Sequence, residues 1–252
     1  MAIAHACAVL SVFRAFSAPH VIVIVLSIAL PLLLTAAFRR TRSRALDRFV
    51  SISLAGLLVF NYLGYALYLW LGGVLEWEKA LPFQLCDWTM IAVVVALLTG
   101  GRRSWLEVAY FWGIGGSLQA ILTPNLQFGF PDVRFFSFFI DHGAIVTGIL
   151  YLMITRKFRP TIGSVWRTLA WSEIYLVVAL FVNHLTGANY GFLTHKPQAA
   201  SLLSLLSDWR PLYLLQMNGL AIVFFAALYA PFAIYDAVRR ASSASPGSKP
   251  MI

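Results

Sequence analysis

Seven apolar runs alternate with short polar or charged segments along the chain, and they set the expected architecture. Each run approaches or exceeds the roughly 20 apolar residues that a helix needs to cross a bilayer. The runs cover residues 20–38, 49–71, 82–99, 105–122, 136–154, 165–186 and 211–236. The pattern predicts an all-α, polytopic membrane protein with seven transmembrane helices in one domain, residues 20–238.

The two ends of the chain differ from this domain. Residues 1–19 contain a short apolar stretch interrupted by Arg14, which predicts a segment lying at the membrane interface. Residues 239–252 are rich in Ser and Pro, a composition that cannot bury a core. We expect the second segment to be a disordered cytoplasmic tail.

Composition supports lipid as the solvent and excludes several classes of protein. Of the 252 residues, 60% are hydrophobic and 12% are charged, against about 25% charged in soluble domains. The formal charge of +9 is explained by its distribution along the membrane loops, so no nucleic-acid partner is expected. Cys7 and Cys86 lack the spacing of a metal site, so neither a metal nor a cofactor is predicted.

Basic residues predict the orientation, because Lys and Arg near helix ends stay in the cytoplasm. Thirteen lie in the connections that follow the odd-numbered helices: Arg39, Arg40, Arg42, Arg44, Arg48, Arg102, Arg103, Arg156, Lys157, Arg159, Arg239, Arg240 and Lys249. Five lie on the other side: Arg14, Lys79, Arg134, Lys196 and Arg210. This asymmetry predicts that the N-terminus is outside and the C-terminus inside.

With this topology, polar side chains of all seven helices lie at the same outer depth. They are His20, Asn61, Gln84, Cys86, Asp87, Gln119, Thr123, Asp141, His142, Asn183, His184, Gln216 and Asn218. Polar residues near helix ends can simply be close to water or join helices by hydrogen bonds. The inner half, however, is mainly aliphatic and aromatic, with Glu173 as its deep carboxylate. This contrast favours an outward-facing polar pocket, because buried polar groups in membranes mark functional sites.

Cys86 and His142 are the candidate reactive pair. Pro82 suits a first helical turn, which puts Cys86 about one turn into the third helix at a depth similar to that of His142 on the fifth. A cysteine nucleophile needs a base, and His142 serves if the two helices pack together. A free cysteine can also be a small buried hydrophobe. The sequence leaves open whether Asp141 or another group orients His142.

Several stretches together resemble the YwaF family of bacterial membrane proteins over residues 16–232. The stretches are FSAPH at 16–20, LPFQLCD at 81–87, YFWG at 110–113, QAILTP at 119–124, FFIDHG at 138–143, NY at 189–190 and KP at 196–197. The resemblance implies a multi-pass protein of the bacterial inner membrane. That family is distantly similar to a eukaryotic cysteine-dependent acyltransferase that makes ether phospholipids, which implies Cys86 as nucleophile and His142 as base.

These observations support two functional hypotheses. The first is a lipid acyltransferase or transacylase, with oxyanion donors among Gln119, Asn183, Asn189 and Tyr190. The second is a small-molecule transporter or ligand-binding sensor without enzymatic activity. The expected partners are membrane lipids, as solvent and as substrate, and the sequence does not determine the oligomeric state. A retinal protein is excluded because Lys79, Lys157, Lys196 and Lys249 all lie outside the apolar runs.

Overall fold

The computed structural model describes residues 12–76, 81–197 and 201–244. These residues form seven long helices and two short 3-10 helices, Tyr190–Phe192 and Leu202–Leu205. The helices are α1 (Ala18–Thr41), α2 (Arg44–Leu71), α3 (Leu85–Leu98), α4, α5 (Val133–Thr155), α6 (Ile162–Thr186) and α7 (Arg210–Ala244). Helix α4 has three consecutive segments, Arg103–Trp112, a π-helical Gly113–Ser117 and Leu118–Leu122. Within the described ranges there is no strand, only an isolated bridge between Val12 and Phe128. The predicted all-α class is confirmed.

Five of these helices, α1, α2, α5, α6 and α7, are long and apolar enough to cross a membrane. Helix α3 is apolar but has only 14 residues, fewer than the roughly 20 that span the hydrocarbon core. Helix α4 is divided by its π-helical segment. The multi-pass architecture is therefore supported, whereas the crossing of the bilayer by α3 and α4 stays a prediction.

Some helix ends differ from those the sequence suggested. Helix α3 begins at Leu85, with Gln84 as its N-cap, so Pro82 precedes the helix and does not lie in its first turn. The Asp87 carboxylate accepts the Gln84 backbone N–H at 2.9 Å and stabilises this start. At the other terminus, α7 continues to Ala244, into the segment expected to be disordered. Residues 1–11 and 245–252 lie outside the described residues.

Helix α5 is the centre of the bundle and packs against α1, α2, α3 and α4. Two glycine contacts account for its close approach to its neighbours. A Cβ added to Gly148 of α5 would lie 2.9 Å from Val93 Cγ1 on α3. A Cβ added to Gly113 of α4 would overlap Ile149 Cδ1 on α5. Small residues at helix contacts in membranes allow such close approach, and here they bring α3 and α5 together.

Ion pairs and a hydrogen bond link the ends of several helices at one end of the bundle, which we call the basic end. Arg156, after α5, binds both carboxylate oxygens of Asp47 on α2 and the carbonyl of Gly100 between α3 and α4. Arg159 pairs with Asp236 near the end of α7 at 2.8 Å. The connections that carry most of the arginines therefore lie together.

A buried carboxylate at the basic end was missed in the sequence. Glu107 of α4 is 1% exposed and accepts hydrogen bonds from Arg103, Ser164 and Arg167. Glu173, expected to be the deep carboxylate with a neighbouring partner, is instead on the exposed face of α6. Glu107 follows Arg103 by four positions on α4. This i, i+4 spacing of opposite charges was the sequence signal that could have identified the ion pair.

Candidate functional site

A cavity of about 540 Å³ opens at the end of the bundle opposite the basic end. Helices α2, α3 and α5 form its walls, and the connections after α2, α4 and α6 form its rim. Its polar lining comprises Asn61, Tyr62, Tyr65, Gln84, Asp87, Asn125, Gln127, Arg134, Ser137, Asp141, His142, Asn189, His195 and Lys196. Six residues predicted for the polar pocket are among these: Asn61, Gln84, Asp87, Asp141, His142 and Asn189.

The side chains of Cys86, Asp141 and His142 meet at the wall of this cavity. A sulfur, a carboxylate oxygen and a ring nitrogen, one from each residue, all lie within 4.8 Å of one another. Asp141 and His142 line the cavity, whereas Cys86 does not, although part of its surface is exposed. The contact between α3 and α5, which the sequence could not establish, brings these three groups together.

The carbonyl of Phe138 orients His142. Nδ1 of His142 lies 2.8 Å from that oxygen, one turn earlier on α5, and the Phe138 ring stacks on the imidazole at 4.2 Å. Asp141 Oδ2 is 3.8 Å from Nδ1, beyond hydrogen-bonding distance. A carbonyl only accepts, so Nδ1 carries the proton. In the neutral ring, Nε2 is therefore the basic nitrogen.

The N-terminus of α3 places Cys86 and Asp87 at this site. Cys86 is the second residue of the helix, where backbone N–H groups lack helical acceptors. Gln84 Oε1 accepts the Gly191 N–H at 3.1 Å, which ties the helix start to the connection after α6. The N–H groups at the start of α3 would stabilise a negative charge that develops near Cys86.

Three residues predicted as pocket groups or oxyanion donors hold that same connection in place. Asn183 is buried, and its amide binds both the N–H and the carbonyl of Tyr190. The Tyr190 hydroxyl accepts the Leu81 N–H ahead of α3. Asn189 does line the cavity, but its Oδ1 accepts the N–H groups of Thr194 and His195. These residues shape the rim, so they are poorly placed as oxyanion donors.

His20 lies outside the cavity, contrary to its predicted place in the pocket. Its Nδ1 accepts the Phe16 N–H at 2.9 Å and its Nε2 donates to the Ile121 carbonyl at 2.7 Å. The ring is completely buried beside Phe139. Both nitrogens are satisfied, which makes His20 a link between the ends of α1 and α4.

Four more predicted residues also fall outside the lining. Gln119 is bonded to Thr123, His184 is on the exposed face of α6, Gln216 accepts the Ser207 N–H, and Asn218 donates to Leu214 within α7. None of these four residues is among those that line the cavity. Depth alone did not determine which side of each helix faces inward.

The rim contributes cations that sequence reasoning had counted only for orientation. Arg134 forms a bidentate pair with Asp132 at 2.8 Å and stacks on Phe128. This pairing with the Arg134 guanidinium lowers the pKa of Asp132 below its usual value. Lys196 binds the Leu206 carbonyl at 2.6 Å and Asp208 at 2.7 Å. Lys196 belongs to the KP element, which was the available signal for this region.

The central trio can perform two kinds of chemistry. A cysteine beside a histidine with a free Nε2 can act as a nucleophile with its base. Thiolate, imidazole and carboxylate are also zinc ligands, and catalytic zinc sites combine three protein ligands with an open position. Cys86, Asp141 and His142 fit that donor set, so the group also qualifies as a candidate metal site.

Comparison with known proteins identifies the family of the chain. Searches of curated proteins and of solved structures return no match. A model of the TMEM164 family matches residues 15–229. It supports the membrane-family part of the resemblance described above, but neither the YwaF assignment nor the similarity to an acyltransferase. Because the match covers most of the sequence, the chain belongs to the TMEM164 family, a family of membrane proteins.

Proposed function

We propose that this protein is a lipid transacylase in which Cys86 is the nucleophile and His142 the general base. The observation that carries the proposal is the meeting of the Cys86 thiol, the His142 imidazole and the Asp141 carboxylate within 4.8 Å at the wall of a cavity. The orientation of His142 by a backbone carbonyl adds support, because it leaves Nε2 without the proton.

In the first half-reaction, the Cys86 sulfur attacks the carbonyl carbon of an ester in a donor phospholipid. His142 Nε2 takes the thiol proton and passes it to the departing oxygen of the lysolipid. The carbon–oxygen ester bond breaks as the carbon–sulfur bond forms, so the enzyme holds a thioester. Proton transfer by a positioned histidine contributes about 10² to 10⁴ in rate.

In the second half-reaction, the hydroxyl of an acceptor lysolipid attacks the thioester carbon. His142 takes the hydroxyl proton and returns it to the sulfur as the carbon–sulfur bond breaks. The thiol is restored and no oxidant or reductant is needed. The negative charge on the oxygen in each tetrahedral intermediate requires donors. The candidates are the backbone N–H groups at the start of α3 and the Asn61 amide, which lines the cavity and keeps one N–H besides the one donated to the Ser137 carbonyl.

A lipid donor follows from the position of the cavity and from its lining. The cavity is at the end opposite the basic end of the bundle. The distribution of basic residues assigns the cavity to the outer side. Acyl-CoA is cytosolic and does not reach that side, whereas phospholipids of the outer leaflet do. Leu69, Phe128 and Phe138 give the cavity apolar surface for an acyl chain.

The test is covalent labelling of the full chain. Purified protein is incubated with phospholipids that carry a labelled acyl chain, and hydroxylamine then releases label held as a thioester. We expect hydroxylamine-labile label in the wild-type protein and in Cys7→Ala, the matched cysteine control. We expect none in Cys86→Ala. Adding EDTA leaves the labelling unchanged if the thiol acts without a metal.

Two outcomes would contradict the proposal. Equal labelling of Cys86→Ala and wild type would exclude Cys86 as the nucleophile. Absence of labile label across several phospholipid classes would favour the binding or transport hypothesis, in which the same cavity holds a ligand without reaction. Loss of labelling with EDTA would instead indicate that Cys86, Asp141 and His142 bind a metal ion.

A further inference from the structure

A second, smaller cleft lies at the basic end, far along the bundle from the cavity. It has a volume of about 260 Å³ and is lined by Arg102, Ser104, Trp105 and Trp171. The first three residues are at the start of α4, and Trp171 is on α6. The proposed acyl transfer uses none of these side chains, so the cleft needs its own explanation.

The charge at the cleft and beside it is positive: Arg102 lines the cleft, Arg103 is next to it on α4, and Arg167 is one turn before Trp171 on α6. Arg103 and Arg167 share the single buried carboxylate of Glu107, which leaves one of their two charges uncompensated. Arg102 adds another, and in the described ranges its side chain has no hydrogen bond or ion pair. Glu173 is exposed on α6, but it follows Trp171 by two residues and so lies about 200° around the helix.

The other two walls are aromatic. The indole rings of Trp105 and Trp171 lie 6.2 Å apart with an interplanar angle of 33°. Tryptophan is enriched where hydrocarbon meets headgroups, because its ring is apolar and its N–H is polar. Beyond Trp171, exposed apolar side chains continue along α6 at Ile174, Val177 and Phe181. Cation and indoles thus lie beside an apolar surface.

We propose that this cleft binds one anionic phospholipid of the membrane. The phosphate lies between Arg102 and the Ser104 hydroxyl, the headgroup fills the cleft between the indoles, and the acyl chains follow α6. The cleft, at about 260 Å³, has about half the volume of the cavity, at about 540 Å³, so we assign it the headgroup alone. Basic pockets between helices are typical sites for anionic headgroups. The proposal is independent of Cys86 and of acyl transfer.

Native mass spectrometry of the full chain in detergent tests the proposal, with phosphatidylglycerol and phosphatidylcholine as probes. We expect one phosphatidylglycerol per chain, bound at least about tenfold more tightly than phosphatidylcholine. Arg102→Gln should weaken phosphatidylglycerol binding about tenfold, the usual effect of losing a charge-assisted hydrogen bond. Soluble glycerol phosphate should not displace the lipid, because it lacks the acyl chains.

Arg40→Gln is the matched control, since it removes the same charge at the basic end from the exposed last turn of α1. Equal weakening by both variants would overturn the proposal, because it would indicate diffuse attraction. Ser104→Phe fills the cleft and keeps every charge, so it should abolish the preference for phosphatidylglycerol. Unchanged binding by Ser104→Phe would also overturn the proposal, even if Arg102→Gln failed to fold.

Discussion

His142 donates its Nδ1 proton to the carbonyl oxygen of Phe138 at 2.8 Å, one turn earlier on α5. This backbone contact leaves the neutral imidazole with Nε2 as its basic nitrogen. Unlike a side-chain carboxylate, the carbonyl does not titrate, so it favours the same tautomer whenever the imidazole is neutral. Asp141 lies close by, but its carboxylate does not make this hydrogen bond.

His142→Ala should slow the acylation of Cys86 by about 10² to 10⁴, the usual contribution of a general base. Asp141→Asn should slow it much less, because Phe138 already holds the ring. Single-turnover labelling rates of the two variants measure the difference. Asn218→Ala, which changes a polar residue outside the cavity, serves as the control and should label at the wild-type rate. A larger loss in Asp141→Asn than in His142→Ala would contradict the assigned roles.

Gly113→Ala should destabilise the protein by about 1 to 3 kcal/mol, because the new methyl group would overlap Ile149 Cδ1 between α4 and α5. Thermal unfolding in detergent measures the effect. Gly56→Ala is the control, since no atom lies within 4 Å of the added Cβ, and alanine favours a helix interior by about 1 kcal/mol. Adding Ile149→Ala should recover part of the lost stability. If both glycine variants behaved alike, close packing of α4 on α5 would be refuted.

Glu107→Ala should lower the free energy of unfolding by about 2 kcal/mol. The substitution leaves Ser164 and two arginines without their acceptor, although the arginines, at 53% and 54% exposure, regain water. Asp236→Ala removes the exposed pair with Arg159 and should cost less than about 1 kcal/mol. Equal melting temperatures of the two variants would show that Glu107 does not anchor α4 to α6.

Acid should weaken the start of α5 through Asp132. Its carboxylate caps the helix by accepting the Arg134 N–H, and its pKa in the folded protein lies below the usual value of about 3.9. Because the pKa of Asp132 is lower in the folded protein than in the unfolded chain, the ionised carboxylate stabilises the fold at every pH above the unfolded-state pKa. This stability is lost as the pH falls through the folded-state pKa.

Melting temperatures between about pH 6 and pH 3 provide the measurement for this cap. Asp132→Asn retains a capping side chain but has no charge to lose, so its curve should fall less steeply below about pH 4. Parallel curves for wild type and variant would exclude Asp132 as a source of acid sensitivity.

The C-terminus should lie in the cytoplasm, because thirteen basic residues follow the odd-numbered helices and five lie on the other side. A fluorescent protein fused after Ile252 should fluoresce, and an alkaline phosphatase fusion at the same position should be inactive. An active phosphatase would show that the predicted orientation is wrong, and it would contradict the argument for an outer-leaflet lipid donor.

The hydrophobic pattern alone determined the all-helical membrane class and the approximate positions of the seven helices. Lipid imposes these features directly, since a spanning segment must be apolar and must satisfy its own backbone hydrogen bonds. The distance of a residue along a helix can therefore be read from the sequence. For this reason Cys86 and His142 could be assigned a similar depth in advance.

The tertiary structure decided which of those polar groups share a site. The direction in which a side chain points around its helix, and the neighbour it meets, depend on packing between α3, α4 and α5, where Gly113 and Gly148 allow close contact. Packing brings Cys86 to His142, whereas Gln216 accepts the Ser207 N–H and does not line the cavity. It also encloses His20 between α1 and α4, because its two nitrogens find backbone partners there. The depth of a residue therefore does not define a site, because the site also depends on the direction of the side chain around its helix and on the neighbouring helix that it meets.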